Sequence, residues 1–126
     1  MYKTQNGWTK DDMIAHVLCE YTGISMSEDL YQCNYRGRDG RKCAVGIFIP
    51  NDKYTTVMEV NSHNTNNGAD FVIDKYNLTD DMPLDKAAMK LFQSVHDDFG
   101  YDYGSIDADE DCLVALVDWI EDNVES

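Results

Sequence analysis

Met13, Ile14, Val17, Leu18 and Tyr21 recur at helical spacing with polar residues between them, which predicts an amphipathic helix ending near Gly23 with that face in the core. Its start is encoded locally. Thr9 supplies a hydroxyl cap, Asp12 stands three positions on as the other half of a capping box, and Trp8 and Met13 occupy the hydrophobic-staple positions, so the helix should begin at Lys10. Leu84, Ala88, Leu91, Phe92, Val95 and Phe99 predict a longer helix starting beside Pro83, with Lys86 and Lys90 on its outer face. Leu113, Leu116, Val117, Ile120 and Val124 form the stripe of a last helix, for which Asp107 and Glu110 make a capping box.

Between the first two helices the pattern changes. Tyr31 to Tyr35 and the run Cys43 to Ile49 flank a polar turn, Arg36 to Arg41, whose Asp39-Gly40 step suits a β-hairpin. The second arm reads equally as strand or short helix, and Pro50 ends it either way. Asn61 to Gly68 is a polar loop without apolar anchors, expected to be mobile; Phe71-Val72-Ile73 is a short strand candidate, and Gly100 to Ser105 is a Gly- and Tyr-rich loop. The fold class that follows is α+β and mostly helical, with three to four helices packed with a small β-hairpin in a single domain, residues 1–126.

A chain of 126 residues with 43% hydrophobic residues can form one core, even at a formal net charge of −14. The longest apolar runs, Ala44 to Ile49 and Cys112 to Val117, are about a third of a bilayer span, and Met1 to Gly7 has no apolar run of a secretion signal. A cytoplasmic setting is therefore expected, where Cys19, Cys33, Cys43 and Cys112 would be buried thiols.

The charge is concentrated at one end. Beyond Lys90 there is no Lys or Arg, and eleven carboxylates follow: Asp97, Asp98, Asp102, Asp107, Asp109, Glu110, Asp111, Asp118, Glu121, Asp122 and Glu125. Those from residue 107 onward extend along ~27 Å of helix, about one charge per 3.4 Å, the linear density of a single DNA strand. Asp111, Asp118, Asp122 and Glu125 share one helix face. Direct binding of nucleic acid or of an anionic membrane is disfavoured by this field, and a basic partner is favoured. Arg36, Arg38, Arg41 and Lys42 form an opposite cluster on the hairpin turn, suited to docking on the acidic helix or on an interface. Tyr101, Tyr103 and Trp119 are aromatic interface candidates; Trp119 flanks the last stripe instead of lying in its centre.

Metal and nucleophile readings are weaker. Taking Asp98 as the first ligand of an EF-hand puts Gly100, Asp102, Tyr103 and Asp109 at the key positions, without the glycine that the sharp turn requires. His16 and Cys19 are spaced i, i+3 and Cys33 and Cys43 lie ten positions apart, yet no zinc signature is present. Cys43 beside Lys42, with His96 or His63 as base, lacks an ordered third group. His96 is expected at the edge of the long helix's core face, bonded to Asp97 or solvent. No glycine-rich phosphate loop or nucleophile elbow occurs, and no metal, cofactor or catalytic residue is assigned.

The stretch Cys33-Asn34-Tyr35-Arg36-Gly37-Arg38-Asp39-Gly40-Arg41-Lys42-Cys43-Ala44-Val45-Gly46-Ile47-Phe48-Ile49-Pro50, followed by Tyr54 and Glu59, resembles a motif of small uncharacterised phage and prophage proteins. Leu91-Phe92-Gln93-Ser94-Val95-His96-Asp97 is similar to a second motif of that group. The resemblance implies a viral origin and a host cytoplasmic setting, and carries no activity with it. Small acidic phage proteins often act as nucleic-acid mimics, and by that analogy the expected function is a phage-type accessory protein that binds the basic, nucleic-acid-binding surface of a host protein through residues 97–125. The alternatives are a small-ligand or metal-binding domain using the Cys33 to Cys43 hairpin with His16 or His96, and an oligomerisation module.

Overall fold

The computed structural model describes residues 1–21, 43–55, 58, 68–98 and 106–125, the first four residues of the last helix by their backbone alone. These residues hold four α-helices: α1 (Lys10–Glu20), α2 (Ala69–Lys75), α3 (Lys86–Asp97) and α4 (Ile106–Asn123). Single 3-10 turns lie at Gly46–Phe48 and Thr79–Asp81.

Helix α1 begins where its cap predicts. The Thr9 hydroxyl accepts the Asp12 N–H at 3.0 Å and the Asp12 carboxylate accepts the Thr9 N–H at 3.0 Å, which satisfies two amides that the first turn leaves without helical partners. Thr9→Ala should cost about 1 kcal/mol in urea unfolding, whereas Thr9→Asp, which keeps an acceptor, should change stability by only a few tenths. Of the predicted face, Met13, Val17 and Tyr21 are buried and Ile14 is partly so, but Leu18 is largely exposed.

An N-terminal strap ties the bundle at one end. Tyr2 donates to the Asn123 carbonyl at 2.7 Å and accepts from the Glu125 N–H at 2.9 Å, an isolated parallel bridge to Val124. Gln5 Nε2 lies 3.1–3.3 Å from the carbonyls of Thr79, Met82 and Leu84, and Asn6 Nδ2 donates to Thr79 at 2.7 Å and Met82 at 2.9 Å. Asn6 and Gly7 both take positive φ, 58° and 82°, the conformation these residue types adopt at low cost; it turns the strap into the cap of α1. The starts of α1 and α3 thus meet the end of α4, while Tyr21 at the far end of α1 packs edge-on to His96 of α3, ring centroids 5.8 Å apart. Helices α1 and α3 run in the same direction and α4 runs against both.

The expected α+β class, helices packed with a small β-hairpin, is overturned: the described residues form helices and 3-10 turns and hold no strand. Cys43 to Ile49 is not a strand but a turn and a 3-10 helix, and all seven residues are buried. The reason lies in where its backbone polar groups go. Val45 N–H donates to Gln93 Oε1 at 2.9 Å, Ile47 O accepts from His16 Nε2 at 2.7 Å, and Gly46 N–H donates to Cys43 Sγ at 3.3 Å. Side chains from α1 and α3 thus fill the role that a neighbouring strand would fill. Phe71-Val72-Ile73 is likewise helical, within α2: Ala69, Val72 and Ile73 are buried at i, i+3, i+4 against α3, a period that three residues alone cannot set. The first arm and the turn of the predicted hairpin, residues 61–67 of the polar loop Asn61 to Gly68, and the loop 100–105 lie outside the described residues.

Helix α3 is capped by Asp85, whose carboxylate accepts the Ala88 N–H at 2.9 Å, so the buried Leu84 precedes the helix instead of opening it. Its buried face is Ala88, Met89, Phe92, Gln93 and His96, whereas Leu91 is exposed. In α4 the fully buried stripe is Cys112, Leu116, Ile120 and Val124, at a strict i, i+4 spacing, with Leu113, Val117 and Trp119 partly buried beside it. This helix is already running at Ile106, so Asp107 lies inside its first turn and is not its cap.

Candidate functional site

Two polar arrangements stand out, one internal and one on the surface. Internally, the Cys43–Ile49 segment and α3 meet through the Gln93 side chain. Its Oε1 accepts the Val45 N–H, and its Nε2 donates to Asp97 Oδ1 at 3.1 Å. His96 Nδ1 lies 3.4 Å from the same carboxylate oxygen. The imidazole is wholly buried, not at the edge of the core face, and its Nε2 has no hydrogen-bond partner among the described residues. This network fixes the Cys43–Ile49 segment against α3. It is roofed by an aromatic chain: Trp8 edge-on to His16 (5.3 Å), His16 stacked on Phe48 (4.8 Å), then Phe92 and Trp119.

On the surface, α4 presents its carboxylates to solvent. Glu110, Asp111, Asp118, Glu121, Asp122 and Glu125 are all exposed. Among the described residues none of them is ion-paired; the ion pairs of the described lysines join other carboxylates. Lys53 pairs with Asp81 at 2.7 Å, Lys86 with Asp74 at 3.6 Å and Lys90 with Asp70 at 3.8 Å. The Asp81 hydrogen bond, opposed by slight desolvation and helped by the charges of Asp81, Asp52 and Asp80, holds the Lys53 pKa above the ordinary lysine value. Lys75 lies over the rings of Phe71 and Tyr76, and Lys10 donates to the Glu121 carbonyl at 2.8 Å, not to a carboxylate.

The other predicted site residues divide by position. Asp97 and Asp98 are exposed at the end of α3, Asp97 being tied to Gln93. Trp119 is half-buried, stacked on Tyr2 at 5.8 Å and tilted against Phe92 at 5.4 Å, so much of its ring surface is already covered. The backbone places Asp107 and Asp109 in the first turn of α4. Asp102, Tyr101, Tyr103, Arg36, Arg38, Arg41 and Lys42 lie outside the described residues, as do Cys33 and His63.

Cys19 is an exposed free thiol, contrary to the expectation that it is buried, while Cys43 and Cys112 are buried. Among the described residues no group of three or more His, Cys, Asp or Glu side chains is placed to share a cation. His16 Nε2 is held by the Ile47 carbonyl, and Cys43 Sγ, enclosed in the core, accepts the Gly46 N–H, which gives both residues of those earlier readings a packing role. No helix of the described residues is long and apolar enough to cross a membrane.

Two surface features depart from the hydrophobic pattern of the sequence. Leu18, assigned there to the core, and Val114, which belongs to no predicted stripe, are each 58% exposed on adjacent helices. The available signal was their position beside Asp11, Glu110 and Asp118, on the polar side of each helix. Comparison with protein-family models, characterised proteins and solved structures finds no match for this chain.

Proposed function

We propose that this protein is a phage-type accessory protein that binds a basic, nucleic-acid-binding surface of a host protein through the Asp- and Glu-rich face of α4, and that it acts by occupying that surface. One observation supports the reading above the others: the α4 carboxylates from Glu110 to Glu125 are exposed and, among the described residues, have no cation paired to them. Like charges at i, i+4, such as Asp118 and Asp122, destabilise a helix by up to about half a kcal/mol per pair, a cost that a basic partner would offset. The carboxylates project from a helix packed on α1 and α3, so the backbone that spaces them is already formed before it meets a partner.

The test begins with capture of partners from host lysate on the immobilised protein. It continues with titration of the identified partner at about 50 and 200 mM salt, between which the screening length halves from about 14 to about 7 Å. Affinity should fall as salt rises. Replacing Asp111, Asp118, Asp122 and Glu125 by Asn or Gln should weaken binding about tenfold or more, with the thermal midpoint unchanged or slightly raised. A partner that also binds nucleic acid should release it on titration. An affinity indifferent to both salt and charge removal would reduce the acidic face to a solubility device.

A further inference from the structure

We infer that the seam between α1 and α4 is a docking groove for a basic amphipathic helix, with Leu18 and Val114 as its apolar anchors. This rests on the proposed basic partner and specifies the secondary structure that the partner presents.

Packing places the two side chains together. Lys10, Ile14 and Leu18 form one i, i+4, i+8 stripe of α1, and the first of them reaches the Glu121 carbonyl of α4 at 2.8 Å, so that stripe lies on the α4 side. On α4, Trp119 faces Phe92 of α3, which leaves Leu113 and Val117, on the opposite flank of the buried stripe, facing α1. The helices are antiparallel. Leu18 lies ~12 Å along α1 from Lys10, and Val114 lies ~10.5 Å back along α4 from Glu121, which brings the two level.

Ile14 and Val117, each partly buried, floor the groove between Leu18 and Val114. Its rim is acidic on both sides, with Asp11 on α1 and Glu110, Asp111, Asp118 and Glu121 on α4, all exposed. The stripe's single cation, Lys10, is bound to a backbone carbonyl.

An apolar strip about two turns long between carboxylate rows is complementary to a helix with apolar residues at i, i+3, i+4 and i+7 and Lys or Arg alongside. A second copy of this chain would bring its own acidic rim against this one, and an anionic membrane surface would be repelled in the same way.

The probe is a synthetic peptide of about 18 residues containing only Leu and Lys, with Leu at the helical spacing above, titrated calorimetrically into the full chain beside a peptide of the same composition in scrambled order. The patterned peptide should bind at least about tenfold more tightly. The double substitution Leu18→Ser with Val114→Ser should abolish that preference, leave binding of the scrambled peptide unchanged, and keep the melting temperature within about 3 °C, since both side chains are exposed. Equal affinity for the two peptides, with salt-sensitive binding of both, would overturn the groove and leave the acidic-surface reading standing. Failure of both peptides to bind would overturn the groove and count against that reading too. A preference retained by the double variant would place the apolar contact elsewhere. A homodimer that the double variant dissolves would assign the seam to a second copy, and a large fall in melting temperature would assign it to a segment of this chain.

Discussion

Phe92→Ala is expected to destabilise the protein by about 3–5 kcal/mol, lowering the thermal midpoint by roughly 12–20 °C or preventing folding at growth temperature. Phe92 is wholly buried and stands where three parts of the molecule converge. Its ring lies 6.3 Å from Phe48 of the Gly46–Phe48 turn and 5.4 Å from Trp119 of α4. Truncation removes most of a ring's apolar burial and leaves a cavity walled by side chains on separate elements, which cannot all collapse inward together. The adjacent Leu91→Ala serves as the contrast, because Leu91 is 46% exposed; it should change stability by no more than about 0.5 kcal/mol. Equal losses at the two positions, in chemical denaturation monitored by Trp fluorescence, would contradict the orientation of α3.

Gln93→Leu is expected to cost about 1–3 kcal/mol although it makes the core more apolar. Leu fills nearly the same volume, so the loss isolates the hydrogen bond from the packing. Without Gln93 Oε1 the buried Val45 N–H has lost its 2.9 Å acceptor, in a segment too enclosed for water to replace it readily. The local readout is amide exchange: Val45 should lose protection more than the amides in the middle of α4 do. If the variant were more stable than wild type and Val45 stayed protected, Gln93 would not be the residue that holds Cys43 to Ile49 in place. The Gln93 position also shows how Cys43–Ile49 and α3 depend on each other, since one supplies the amide and the other the acceptor.

What could be read from the sequence was local in origin. The Thr9 and Asp12 box sets the first residue of α1 because both partners lie within one turn, and three-dimensional context adds little to a contact of that range. The stripes of α1 and α4 were legible in outline for a related reason: each repeats over several turns, long enough for the 3.6-residue period to outweigh any single exception. The concentration of carboxylates beyond residue 97 is a property of composition and needed no fold at all.

Tertiary structure decided the rest. Cys43 to Ile49 has the composition of a strand, yet a strand needs a ladder; here Ile47, Phe48 and Ile49 bond back to Cys43, Val45 and Gly46 in a 3-10 turn, and the Val45 amide and Ile47 carbonyl are met by Gln93 and His16, 48 and 31 residues away in the chain. Periodicity put Leu91 inside and His96 at the edge; packing exposed the leucine and buried the histidine, because α3 turns Gln93 toward the Val45 amide and His96 against the Tyr21 ring. Leu18 was counted as core because it stands i+4 from Ile14 and i−3 from Tyr21, but whether a flank position is covered depends on how far the neighbouring helix reaches across it. The proposed groove exists only because α1 and α4 run antiparallel and bring Leu18 level with Val114. That adjacency spans 96 positions of sequence, and no pattern within either helix carries it.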